Sequence, residues 1–314
     1  MPAFLVNIGW GIVDFFESFV LQFPGTLALG LIWGVLALGV YITFKILDFA
    51  DMTVDGSICT GGAVAVMLIA KGVSPYIALI CAFASGCIAG AVTAFLHTVL
   101  KIPGILAGIL TQLALYSINI HILGNQANQP IPYDTKVLVS AGNTTESILV
   151  ATAIIIGVLA ILYWVFGTEL GCATRATGCN PNMARAQGIN TNVTKLFGLV
   201  LANGLVAFSG ALYVQYLGSV DVKMGKGAIV IGLAAVVIGE VIFGARHGFI
   251  YKMFSVVMGT IIYYTVQQLA TEIGLSSEDM KLVSAITVAI FLAIPNLKGK
   301  VIRKSPKKGE SENA

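Results

Sequence analysis

Ionisable and amide side chains are scarce in this sequence, and the few that fall in or beside apolar runs are the ones able to do chemistry. Glu240 lies near the end of the apolar run 228–243, and Asp48, Asp51 and Asp55 flank the start of another, 58–70. An ionisable group at the centre of a bilayer costs roughly 3 kcal/mol, so each is a candidate for gating or lining a solute path. Plainer roles compete with that one. Glu240 suits a membrane surface beside Arg246, and Asp55 or Ser57 suits a cap on the first turn of its own helix. Thr111, Gln112, Tyr116, Ser117 and Asn119 crowd hydrogen-bonding groups onto one run, with residues 112, 116 and 119 on a single helical face. That face serves equally for bonding between helices or for lining a pathway. His97 and His121 are not spaced as a metal pair and fall at run ends, at headgroup level. Five scattered cysteines (Cys59, Cys81, Cys87, Cys172, Cys179) form no CxxC pair, so neither a disulfide framework nor a metal site is indicated. No GxxxxGK[ST] is present to cradle ATP phosphates, and no nucleophile is clustered with a base. The chain is expected to be no enzyme and to bind no cofactor itself.

The elements that must position these groups are membrane helices. Hydrophobic residues make up 57% of the 314, charged ones only 11%, and the mean hydropathy is +0.90, far outside the range of a soluble domain. The apolar residues gather in runs near the ~20 needed to cross the hydrocarbon core. No period-two pattern suggests a barrel, so the fold class is all-α, a polytopic helical bundle. Nine spans are expected, near 26–46, 58–70, 76–99, 104–123, 149–166, 196–216, 228–243, 253–269 and 282–295. Residues 1–25 read as a surface-lying helix, with a tenth span as the alternative; they lack the Lys or Arg of a cleaved signal's n-region. The membrane-spanning domain then covers 26–297 and a basic tail covers 298–314. Of the 18 Lys and Arg residues, only Lys71, Lys136, Lys223, Lys226 and Lys281 fall on one side, and the other thirteen place the tail in the cytoplasm. A net charge of +3 gives no reason to expect nucleic acid. Gln267, Gln268 and Tyr263 or Tyr264 end a span towards the outside, a place for contact with an external partner.

Two spans, 58–70 and 228–243, are short and follow glycine-containing turns in opposite halves of the chain. Such a pair is the trace of an inverted-repeat transporter whose broken helices line the path. Gly30 with Gly34, Gly86 with Gly90, and Gly104 with Gly108 predict close helix packing. The interior loop 168–195 holds its own short helix: Asn180 caps it, Pro181 suits its first position and Gly188 suits a left-handed stop. Two turns are not stable alone, so this rod is either a capped connection or an element held against another surface.

The same loop resembles the ATPase-coupling region of ABC importer permeases of the branched-chain amino-acid and ribose type. Arg175, Ala176, Gly178, Asn180, Ala184, Arg185, Gly188 and Ile189 match its pattern. Residues 47–57 are similar to the approach to that family's broken second helix, and 232–240 to its later one. Residues 108–119 look like a subgroup that pairs one permease with a substrate-binding lipoprotein. The resemblance spans roughly residues 26–300. It implies a homodimer of permeases in the plasma membrane of a bacterium, two ABC ATPase subunits carrying ATP and Mg, and delivery of solute by the lipoprotein. It implies an amino acid cargo, with an aromatic one favoured and a sugar or nucleoside as the alternative. Arg175, Gly178, Asn180, Pro181, Ala184, Arg185 and Gly188 would then couple to the ATPase. Asp51, Asp55, Ser57, Gln112, Tyr116, Asn119 and Glu240 remain candidates for the pathway or its gate. From the paired short spans alone, an ion-coupled secondary transporter is the competing reading.

Overall fold

A computed structural model describes residues 2–303 apart from 133, 134, 136, 245–247 and 276–278. Arg246, expected beside Glu240, and the tail beyond 303 lie outside the described residues. Eleven α-helices run in order among the described residues: α1 (Pro2–Tyr41), α2 (Val54–Ala70), α3 (Pro75–Thr98), α4 (Gly104–Ile122), α5 (Thr144–Gly167), α6 (Glu169–Cys179), α7 (Pro181–Ala186), α8 (Thr191–Leu217), α9 (Ala228–Phe243), α10 (Phe249–Glu272) and α11 (Met280–Arg303). An antiparallel ribbon of β1 (Asn128–Pro130) and β2 (Ser219–Asp221) ties the segments that follow α4 and α8. The fold is an all-α polytopic bundle. Apolar helices lie at all nine expected positions, but α2, α9 and the apolar part of α11 are short, so length and composition establish six crossings among the described residues.

Residues 2–41 form one unbroken helix with Pro24 inside it, so the expected division near residue 25 is not a break in the backbone. In a membrane helix the groups that proline frees find other partners, and the residue does not end the helix as it would in water. A π-helical turn, Ile42–Ile46, follows without interruption.

Two helices form the core. The apolar windows of α1 and α8 are 83% and 72% buried, against 22% for α5 on the periphery. Their neighbours are exchanged in a regular way: α8 packs on α3 and α2, while α1 packs on α10 and α9. Likewise α4 leans on α2 and α3, as α11 leans on α9 and α10. The set α1–α4 therefore corresponds to α8–α11. Such an exchange of neighbours between two helix sets is the mark of an internal structural repeat.

Glycines permit the tightest of these contacts. Gly86 and Gly90 on α3 face the Asn203 and Leu199 carbonyls of α8, and Gly30 on α1 faces the Ile261 backbone of α10, so an added methyl would overlap backbone atoms. Gly104 and Gly108 behave differently from the expected helix pairing. They admit Phe49 and Met52, which belong to a non-helical strap and not to a helix.

Candidate functional site

That strap, Leu47–Thr53, is how the chain builds the first broken helix. After the π turn Asp48 takes a left-handed conformation (φ 53°), which an aspartate tolerates, and the chain doubles back into the bundle. It passes along the first turns of α4 before α2 begins beside residue 111. Polar side chains inside a bundle need partners, and the buried ones of the strap find them. Asp51, 1% exposed, accepts from the Thr53 N–H at 3.0 Å and from the Asn203 amide at 2.7 Å. Ser57 donates to Asn203 Oδ1 at 2.6 Å. A chain of hydroxyls, Thr53 to Thr93 at 2.7 Å and Thr93 to Thr111 at 2.9 Å, joins α2 to α3 and α4.

Asp55 does not cap its own helix, contrary to one expectation. It sits within the first turn of α2, and its carboxylate accepts from the Gly227 and Ile229 N–H groups at 3.0 and 2.9 Å, capping α9 from outside. Ser57 does not cap α2 either; the Asp51 and Asn203 lattice holds that end. Cys59 reinforces the junction, donating to the Val222 carbonyl at 3.3 Å and accepting from the Gly225 N–H at 3.2 Å. The starts of the two short helices thus meet.

Beside that meeting point opens a cleft of about 260 Å³, lined by Asp55, Gly56, Cys59, Gln112, Leu113, Tyr116, Asn119, Val222 and Lys226. The predicted stripe Gln112, Tyr116 and Asn119 all face it, together with Asp55. Asn119 donates weakly to the Gly56 carbonyl at 3.5 Å, and its buried Oδ1 has no partner among the described residues. Asp51 and Ser57 lie behind the wall. Glu240 is not brought here: it ends α9 and forms an ion pair with Lys45 of the π turn at 2.8 Å. Asn203 and Lys226 were not singled out in the sequence, although an amide in the middle of the apolar run of α8 was the available signal for Asn203.

The loop 168–195 holds two helices, not the one expected. Thr168 caps α6 and accepts from the Gly171 N–H at 3.3 Å. Asn180 caps α7, accepting from the Asn182 and Met183 N–H groups at 3.1 Å each. Pro181 begins α7 and Gly188 takes φ 85° past its end, as the spacing predicted. Ala184 is buried beneath α7, and Arg185 Nε donates to Thr191 at 2.8 Å. Arg175 lies over the Phe249 ring at 5.0 Å, at the start of α10. Gly178 is pressed on the Ile46 carbonyl so closely that any Cβ would overlap it. The α6–α7 pair is therefore seated on the π turn, five residues upstream of Asp51.

Towards the opposite end, Gln267 and Gln268 of α10 bond to neighbouring helices. Gln267 donates to the Tyr263 hydroxyl and to Ser284 at 2.7 Å each, and Gln268 donates to the Phe19 carbonyl at 3.0 Å.

Comparison with known proteins agrees with this architecture. Residues 23–295 match the family described as "Branched-chain amino acid transport system / permease component". A tyrosine transport system permease protein of Clostridioides difficile (strain R20291) is 39% identical over 267 residues, 85% of this chain and 89% of that one. An uncharacterized protein of Rickettsia prowazekii (strain Madrid E) is 32% identical over 82% of this chain and 92% of its own. The ribose import permease protein of Escherichia coli (strain K12) is 24% identical over 79% and 77%. With two short helices that meet at their starts, a capped helical pair seated at their approach and a match over most of its length, this chain belongs to the branched-chain amino acid permease family of ABC importers.

Proposed function

We propose that the chain forms half of a translocation path for an amino acid with an aromatic side chain, driven through α6 and α7 by ABC ATPase subunits. One observation carries the reading: α6 is locked by Gly178 onto the π turn, and that turn continues through the Leu47–Thr53 strap into α2 and the wall of the cleft. A push on the α6–α7 pair therefore has a backbone route, with no flexible linker, to the place where α2 and α9 meet. The cleft supports the cargo class. It pairs Asp55 and Lys226 with apolar and aromatic wall from Leu113, Tyr116 and Val222, and Asn119 Oδ1 is left to receive a donor. The relative that transports tyrosine supports the same class, and a sugar is the alternative suggested by the ribose relative. Membership of the ABC importer family sets aside ion-coupled secondary transport.

In this reading a second copy completes the path, two ATPase subunits hold ATP and Mg, and a lipoprotein delivers the solute from outside. Residues 168–195 and the C-terminus face the cytoplasm of a bacterial cell, surrounded by plasma-membrane lipid. The test is uptake of labelled tyrosine into proteoliposomes holding the whole complex, with Gly178→Val beside the wild type. The variant is expected to hydrolyse ATP with uptake reduced at least tenfold; wild-type uptake would show that α6 does not carry the push.

A further inference from the structure

A second cleft, of about 510 Å³, lies at the α6–α7 end, between the turn joining α3 to α4 and the start of α8. Basic side chains enter it from four elements: His97 from the end of α3, Lys101 from the α3–α4 turn, Arg185 from α7 and Lys195 from α8. Its lining holds no Asp or Glu. The hydrogen bonds show what these groups leave free. The Ile102 carbonyl only accepts, so His97 Nδ1, at 2.9 Å, carries a proton and donates it. His97 Nε2 then accepts from Lys195 Nζ at 3.0 Å, which leaves two ammonium protons of Lys195 for another acceptor. Arg185 uses Nε on Thr191 and keeps its terminal N–H groups. Lys101 is exposed, on a turn that holds it at φ 57°. Three cationic side chains thus line one cleft with no acidic residue among its lining residues.

The rim is of the opposite character. Val99 and Leu100 are 60% and 54% exposed, and Val193 and Leu196 are exposed beside them on α8. From this rim α3, α4 and α8 continue as helices of membrane-crossing length. Cations in a recess, with an apolar border where spans begin, fit a ligand that has an anionic head and a hydrocarbon tail. A soluble partner seated here would also have to cover Val99 and Leu100, which directly follow α3, a helix of membrane-crossing length.

We propose that this cleft binds the phosphate-bearing headgroup of an acidic phospholipid, with its acyl chains against the exposed apolar faces of α3 and α4. The test uses the full chain in nanodiscs of phosphatidylcholine with a minor share of phosphatidylglycerol, and native mass spectrometry to count retained phosphatidylglycerol. Wild type is compared with Lys101→Gln plus Lys195→Gln, and with Lys71→Gln, an exposed lysine outside the cleft. The double variant is expected to hold phosphatidylglycerol roughly thirtyfold more weakly, about fivefold for each lysine, while Lys71→Gln matches wild type. Should the double variant fold poorly, Lys101→Gln alone, in an exposed turn, is expected to show about the fivefold loss. Equal retention by wild type and a folded variant overturns the proposal. Displacement of the lipid by millimolar inorganic phosphate overturns the lipid assignment in favour of a free anion. Loss of ATPase association with lipid retention unchanged overturns it in favour of a protein contact.

Discussion

The two short helices begin in contact, yet their starts are held in opposite ways. The start of α2 is embedded in side chains: Asp51, Thr53, Ser57 and Asn203 form a buried lattice that ties it to α8, and hydroxyls tie it to α3 and α4. The start of α9 rests on Gly225 and Gly227, with no capping side chain of its own, and takes its cap from Asp55 of α2. One half of the repeat is therefore anchored, and the other half is anchored to it. A displacement of the first turn of α2 must carry the start of α9 or break two charge-assisted hydrogen bonds.

The largest expected effect breaks the anchored side. Asn203→Leu removes the amide that bonds both Asp51 and Ser57 and leaves a carboxyl buried with one donor fewer. The loss should be about 3 kcal/mol, read as a lower midpoint of thermal unfolding in detergent. Asp51→Leu added to Asn203→Leu should recover much of it, because an apolar pair leaves nothing unsatisfied. If the double variant is as unstable as the single one, the lattice is not what holds α2.

Breaking the dependent side should cost less stability and more function. Asp55→Ala removes a cap worth about 1–2 kcal/mol, and uptake should fall below detection because α9 is no longer tied to α2. Asp55→Asn keeps one acceptor, so partial uptake is expected. Equal transport by all three proteins would mean that the two helices move independently. The smallest effect belongs to the other end of α9. Lys45 and Glu240 form an ion pair whose side chains are 48% and 19% exposed, and Lys45→Ala should change stability by about 1 kcal/mol or less after screening. A larger loss would show that α9 is held from both ends, and the contrast between the helices would weaken.

Much of this arrangement was legible in the residues. Asn180, Pro181 and Gly188 act at a range of a few bonds, and each does what its type dictates, so α7 appears where the spacing placed it. The stripe of Gln112, Tyr116 and Asn119 needed only helical periodicity, and all three reach the cleft. Helix α6 was missed because Gly171 and Gly178 read as loop residues. In the structure they are sites of close approach, Gly178 to the π turn and Gly171 to the end of α5. Asp55 was misassigned for a related reason. Read along the chain, a capping side chain serves the nearest N–H groups, whereas the ones Asp55 serves are 172 and 174 residues away.

What the sequence determined by itself is whatever depends on composition and on neighbours along the chain: a lipid-solvated bundle, the positions of its apolar helices, two short members in opposite halves, and a capped rod between them. These follow from local rules of transfer energy, periodicity and capping. Only the tertiary structure decided that Asp55 holds α9, that Asn203 joins Asp51 to Ser57, and that the rod sits on the π turn. Those contacts join residues far apart in the chain, and which buried donor meets which acceptor is settled when the helices pack and every polar group inside must find a partner.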